Sequence, residues 1–182
     1  MRISNDRILH QGPYLLLKER RYTDRCGDES TWTYAERVGT RRAAVVVATT
    51  RSNGDLIIIR QFRVPFATYV VEFPAGLIDD GESVAEAARR ELVEETGYEG
   101  SVDYVGPAVA SSAGLTTELV HLVEMTVDDE PARPTAHESS ETIQVLTIPP
   151  AELAATLAEW QRDEVVVDAK LYTYLRTRLA VP

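Results

Sequence analysis

One segment limits what this chain can become. Residues 76–98, GLIDDGESVAEAARRELVEETGY, compress a glycine turn, a bounded helix and five glutamates into a single stretch. Ser83 followed by Glu86 has the spacing of a capping box, and Gly97 stands where a helix stops in the left-handed conformation, so a helix is predicted over 84–96. At about 100° per residue, Glu91, Glu94 and Glu95 fall within one arc of that helix, with Val84, Ala87 and Ala88 on the same stripe one or two turns earlier. One face therefore starts apolar and ends acidic. Like charges three and four residues apart repel, burial raises the cost of keeping them ionised, and an acidic run near a helix C-terminus opposes the macrodipole. A solvated helix end is the plain alternative. The arrangement favours a cation against the cluster, and hard divalent ions with oxygen ligands, Mg²⁺ or Mn²⁺, are the natural partners, commonly arriving with substrate phosphates.

Composition narrows the choice. At 182 residues the chain suits one domain with a sizeable core, and a net charge of −10 argues against a nucleic-acid binder, whose affinity comes from basic patches. No stretch approaches the length needed to span a bilayer, and the start MRISNDRILH lacks the apolar core of a signal peptide, so a cytoplasmic protein without membrane partners is expected. The single cysteine, Cys26, has no cysteine partner and reads as an incidental loop thiol.

Residues 8–22, broken at Gly12-Pro13, and residues 30–38 predict an N-terminal antiparallel β unit carrying the aromatics Tyr14, Trp32 and Tyr34. Such rings usually pack, but beside a nucleotide site they stack on a base. Residues 43–49 and 56–61 are apolar runs flanking Ser52-Asn53-Gly54-Asp55, a hairpin of two core strands. Arg63 follows as a cation placed either for phosphate or for a surface ion pair, and residues 69–73 predict a strand that Pro74-Ala75-Gly76 bends into the acidic helix. The Ala75 carbonyl at such a bend can join an oxygen coordination shell. Beyond the helix, strands are predicted at 102–105, 119–127 and 142–148, with a small-residue loop at 110–117 that admits a ligand close to the backbone. Residues 128–141 read as a polar active-site loop ending in Glu138 and Glu141, and helices are predicted from Pro149-Pro150 to about 162 and from Asp168 to about 179. The three histidines lack metal spacing, and no P-loop, dinucleotide fingerprint or nucleophile triad is present.

The set Gly76, Glu82, Arg90, Glu91, Leu92, Glu94, Glu95, Gly97 and Tyr98 resembles the signature of the Nudix hydrolases, which cleave nucleoside diphosphates linked to another moiety. Tyr98 is the soft departure, standing where the family more often has an aliphatic residue. The likeness extends through Trp32, Gln61-Phe62-Arg63, Glu72-Phe73-Pro74-Ala75-Gly76 and residues 167–172 to the ADP-ribose and ADP-sugar pyrophosphatases, the eukaryotic type in particular. What the resemblance implies is an α/β (α+β) Nudix fold, a mixed sheet sandwiched between helices, over residues 41–182. An N-terminal antiparallel β subdomain over 1–40 would be exchanged across a homodimer. It implies Mg²⁺-dependent hydrolysis (Mn²⁺ as a substitute) of a small nucleotide-sugar substrate to AMP and a sugar phosphate. Glu91, Glu94, Glu95 and the Ala75 carbonyl match metal ligands, and Glu82 and Arg90 match supporting charges. Arg37 and Arg63 match positions holding phosphates and terminal ribose, Trp32 matches an adenine-stacking ring, and Thr33, Leu77 and Ser112 match substrate-contacting positions. Tyr14 stands where the eukaryotic type has a second stacking ring given by the partner subunit, and Glu141 aligns with a loop glutamate that positions or deprotonates water. Two departures keep other ADP-sugars and other nucleoside diphosphate derivatives in view: Ala113 replaces a proline typical of ADP-ribose enzymes, and Thr33 replaces an acidic adenine contact. A non-catalytic ADP-ribose-binding module is the rival reading, against which the retained Glu91, Glu94 and Glu95 argue.

Overall fold

A computed structural model describes residues 1–136 and 142–179. Three strands come first, β1 (Arg2–Gln11), β2 (Leu15–Thr23) and β3 (Glu29–Arg37), forming a separate antiparallel sheet in the order β1-β2-β3. The first strand begins at Arg2, well before the position expected from the sequence, because its polar, largely exposed residues carry no alternating signal and form a strand only by pairing with β2.

Next come β4 (Arg42–Thr50), β5 (Leu56–Arg63), β6 (Thr68–Glu72) and β7 (Ala75–Leu77), then α1 (Val84–Thr96). They are followed by β8 (Gly100–Val105), β9 (Val109–Ala110), β10 (Leu119–Val127) and β11 (Ile143–Ile148). The chain closes with α2 (Leu153–Arg162), β12 (Val166–Val167) and α3 (Ala169–Leu179). Strands β4 to β12 make one mixed sheet with the path β12-β6-β5-β4-β10-β8, while β11 joins β5, β7 joins β4 and β9 joins β10. The β4–β10 and β6–β12 pairs are parallel. Strands β7, β9 and β12 were not visible in the sequence; at two or three residues each, none is long enough to show a period.

Period-2 alternation along β4 divides the core. Ala43, Val45 and Val47 pack with Leu153 and Leu157 of α2 and Leu171 and Leu175 of α3. Ala44, Val46 and Ala48 pack with Ala87, Ala88 and Leu92 of α1. The sheet is thus covered by helices on both faces, as the near-continuous apolar runs required.

The register explains where a site forms. Strands β4 and β5 pair only at Ala48–Ile57 and Thr49–Leu56 and then diverge. The following chain runs in along β5, from Arg63–Thr68 to Ile59–Glu72, turns at Phe73-Pro74, and runs out along β4, from Val45–Ala75 to Ala43–Leu77. Val46 donates its N–H to the Pro74 carbonyl at 2.8 Å, fixing the turn between the two arms. Helix α1 then lies against this opened hairpin.

Candidate active site

Helix α1 has the predicted bounds. Ser83 and Glu86 form a reciprocal capping box, and Gly97 ends the helix at φ 76°. Burying Ala87, Ala88 and Leu92 fixes the rotation of the helix, and that rotation turns Glu91 and Glu95 toward β7. Glu95 is 5% exposed, and its Oε2 accepts the Ala75 N–H at 2.9 Å. The Glu91 carboxylate lies so close to Gly76 that a Cβ at that position would overlap it. This is the physical reason for glycine there: a side chain at 76 would displace the Glu91 carboxylate from its place against β7.

Arg90 organises the charges. Its guanidinium donates to Glu82 at 3.0 and 2.9 Å, to Glu91 at 2.7 Å, to Glu94 at 3.3 Å and to the Leu77 carbonyl at 2.9 Å. Glu91 and Glu94 are therefore held by one cation on their own helix, and Leu77 is tied in through its backbone. Burial pushes the Glu91 carboxyl above the ordinary value, with the Arg90 hydrogen bond working against it, whereas the same arginine holds Glu82 below the ordinary value. Among the described residues no three carboxylate, imidazole or thiol side chains already converge in metal-binding geometry. The donor set still fits a hard divalent cation: three carboxylates beside a backbone bend, with a half-desolvated Glu91 that an added positive charge would keep ionised.

The second group of predicted residues gathers where β3 meets the loop before β10. Ala35 donates its N–H to the Leu115 carbonyl at 2.8 Å and accepts from Thr117 N–H at 3.3 Å, so the loop docks along the small sheet. Trp32, half exposed, donates its indole N–H to the Gly114 carbonyl at 2.9 Å and borders a cavity of about 320 Å³ shared with Tyr34, Arg20 and Thr116. Arg37 pairs with Glu118 at 2.6 Å, and the Ser112 carbonyl closes the loop by accepting from Leu115 at 2.9 Å and Thr116 at 3.0 Å. Thr33 is exposed, opposite Glu19 of β2. The rung Leu77–Ala43–Val120 crosses β7, β4 and β10, so the strand beside the carboxylate helix and the strand that follows this loop meet at one end of the sheet, β7 and β10 lying two strand spacings or about 10 Å apart.

Arg63 sits on the other arm, in a two-bond pair with Glu72 at 2.7 and 2.9 Å. Glu72 is 9% exposed and lies three residues before Ala75, so the pair flanks the bend. Tyr14 stands apart and is 80% exposed. Glu141 lies outside the described residues. Its described neighbours bracket the site: Ala136 donates its N–H to the Glu94 carbonyl at 2.8 Å, and the Thr142 carbonyl accepts from Phe62 at 3.1 Å. Sequence reasoning missed Glu72 and Glu118 as the arginine partners. It also passed over His121, which is buried and hydrogen-bonded between Arg42 and the Gly106 carbonyl. A buried acid in a strand ending at Pro74 was the available signal for Glu72.

An opened hairpin with a carboxylate helix laid against it defines the class, and comparison gives the family: residues 39–169 match the NUDIX domain, and the chain belongs to that family. Nudix hydrolases generally need divalent metal ions. The chain is 34% identical to the ADP-sugar pyrophosphatase of Mus musculus over 94% of its own length and 84% of the relative's. It is 36% identical to the ADP-ribose pyrophosphatase of Saccharomyces cerevisiae over 59% of its length and 50% of the relative's. A solved structure of an ADP compounds hydrolase superposes with a TM-score of 0.72 at 23% identity, covering 86% of this chain and 82% of that one, which establishes the shared fold. No described helix is long and apolar enough to cross a membrane.

Proposed function

We propose that this protein hydrolyses the pyrophosphate bond of ADP-ribose or a related ADP-sugar to AMP and a sugar phosphate, with Mg²⁺ as the working ion and Mn²⁺ as a substitute. The observation that carries this reading is the reach of the likeness to an ADP-sugar pyrophosphatase. It covers 94% of the chain and so includes the N-terminal sheet with Trp32 as well as the carboxylate helix. Glu91, Glu94, Glu95 and the Ala75 carbonyl are the residues that would hold the ions. Bound there, divalent cations neutralise pyrophosphate charge and lower the pKa of water.

The chain's own residues divide the remaining work. Arg90 aims the Glu91 and Glu94 carboxylates and offsets part of the cost of burying Glu91, and Ala75 N–H fixes Glu95. Trp32 offers its ring to the adenine beside the cavity it borders, while Thr33, Leu77 and Ser112 contribute substrate contacts outside that cavity's lining. Arg37 and Arg63, each already held by a carboxylate, bind phosphate oxygens and the distal ribose. Glu141 positions or deprotonates the attacking water, a role supported by the two described residues that bracket it at Glu94 and Phe62.

Residues 1–40 act as a β subdomain exchanged in a homodimer, in which the exposed Tyr14 reaches the partner's base site, while residues 41–182 form the hydrolase domain. The protein works in the cytoplasm, in keeping with its single exposed cysteine. The test is release of AMP from ADP-ribose, ADP-glucose, nucleoside triphosphates and dinucleotides with Mg²⁺. Turnover should be greatest on ADP-sugars; ADP-ribose bound without turnover of any compound would overturn the enzyme reading. Sedimentation at twice the chain mass is expected, and a monomer would remove the role of Tyr14.

A further inference from the structure

Among the described residues, one buried side-chain polar atom lacks a hydrogen-bond partner: Oε1 of Gln61. Gln61 is 5% exposed, and a stranded acceptor at that depth is costly unless something arrives to satisfy it. Its direction follows from the register. Ile57 packs in the cluster with Ala87, Ala88 and Leu92 of α1, so Ile59, Gln61 and Arg63 point to the same helix-bearing face. Directly opposite residues share a face: Ile59 with Glu72 and Val145, Gln61 with Val70 and Ile143. The Gln61 amide is therefore one step down the strand from Arg63, on the face that carries the Arg63–Glu72 pair, and beside the point where β11 begins.

We infer that Gln61 is a specificity-determining residue, its side-chain amide hydrogen-bonding a hydroxyl of the sugar carried on the distal phosphate. This rests on the ADP-sugar reading above. The base cradle at Trp32 and Gly114 adjoins the β4–β10 arm, the carboxylates lie on α1 and β7, and Gln61 belongs to the opposite β5 arm, so the part of the substrate reaching it is the half farthest from the base. A hydroxyl suits the site because it both donates and accepts, and so satisfies the amide in either orientation, whereas a phosphate oxygen only accepts.

The test uses the full-length chain with Gln61→Met, which keeps length and removes both polar atoms. KM and kcat for ADP-ribose are compared with the inhibition constant of ADP, which has the base and phosphates but no distal sugar. The expected result is a loss of about ten-fold in kcat/KM for ADP-ribose with ADP inhibition unchanged. Thermal stability of the ligand-free variant should be equal or higher, since an unsatisfied acceptor has been removed. Equal weakening toward both compounds, no change toward either, or a fall in thermal stability would overturn the assignment and mean that Gln61 serves the fold. A wild-type chain that releases no AMP from any ADP compound would instead overturn the underlying reading, and this inference with it.

Discussion

The carboxylate helix and the proposed base cradle lie at the same end of the sheet but are built by opposite means. Around α1 the groups that face β7 are set by contacts that leave little slack: Leu92 fully buried, Glu95 tied to Ala75, and Glu91 pressed against a glycine, with Glu94 the more exposed member. The cradle is a join between two sheets, made from backbone hydrogen bonds between β3 and residues 114–117 and from the half-exposed Trp32 and Arg37. The difference suits the chemistry proposed for each. Phosphoryl chemistry depends on placing charge to within a fraction of an ångström, whereas a stacked base tolerates adjustment in its plane.

The sharpest way to break this comparison is Glu95→Gln, which keeps shape and removes charge; activity should fall on the order of a hundred- to a thousand-fold, read as AMP release, while the circular dichroism spectrum is unchanged. Gly76→Ala tests the lack of slack itself. The added Cβ meets the movable end of Glu91 and no backbone, so folding should survive while turnover drops about a hundred-fold. Near-normal turnover would show that Glu91 can work from another position. Trp32→Ala should act mainly on KM, raising it by about ten-fold through lost stacking with little change in thermal stability, and a fall in kcat alone would mean that the cradle positions the reacting bond.

The smallest effect concerns the outer sheet. The Arg20 guanidinium, followed by Tyr34, holds the Asp6 carboxyl well below the usual carboxylate range. Because folding lowers this pKa, the contribution is complete above the ordinary value of 3.8 and is lost as the pH falls below it. Acid titration followed by Trp32 fluorescence should therefore show a loss below about pH 4 that Asp6→Asn abolishes, and a modest one, because Asp6 and Arg20 are partly solvated. An Asp6→Asn titration identical to wild type would show that β1 is held by its backbone ladder alone.

Much of the catalytic half was legible because its determinants are local. The capping box, the αL glycine and the helical period lie within the same short segment, and the α1 bounds match the expectation from them. The apolar runs of β4 and β5 around Asn53-Gly54 likewise carried their own turn and burial signals. Less could be read where partners are far apart in the chain. Arg63 was visible as a cation with two possible duties; that it is held by Glu72 depends on how β5 and β6 pair. Arg37 finds Glu118, and Trp32 finds Gly114, across some eighty positions, and nothing local marks either partner.

The amino-acid sequence by itself determined that a capped helix would carry an acidic arc beside a glycine bend, since spacing along one helix is fixed by its 3.6-residue turn. Only the tertiary structure decided which groups meet that arc. The divergence of β4 from β5 puts Ala75 and Gly76 under Glu95 and Glu91, places the Trp32 loop contact and Gln61 on opposite arms, and leaves one buried amide oxygen without a partner among the described residues. Those outcomes depend on long-range strand register, which arises from packing two faces of one sheet at once and is not encoded in any single stretch.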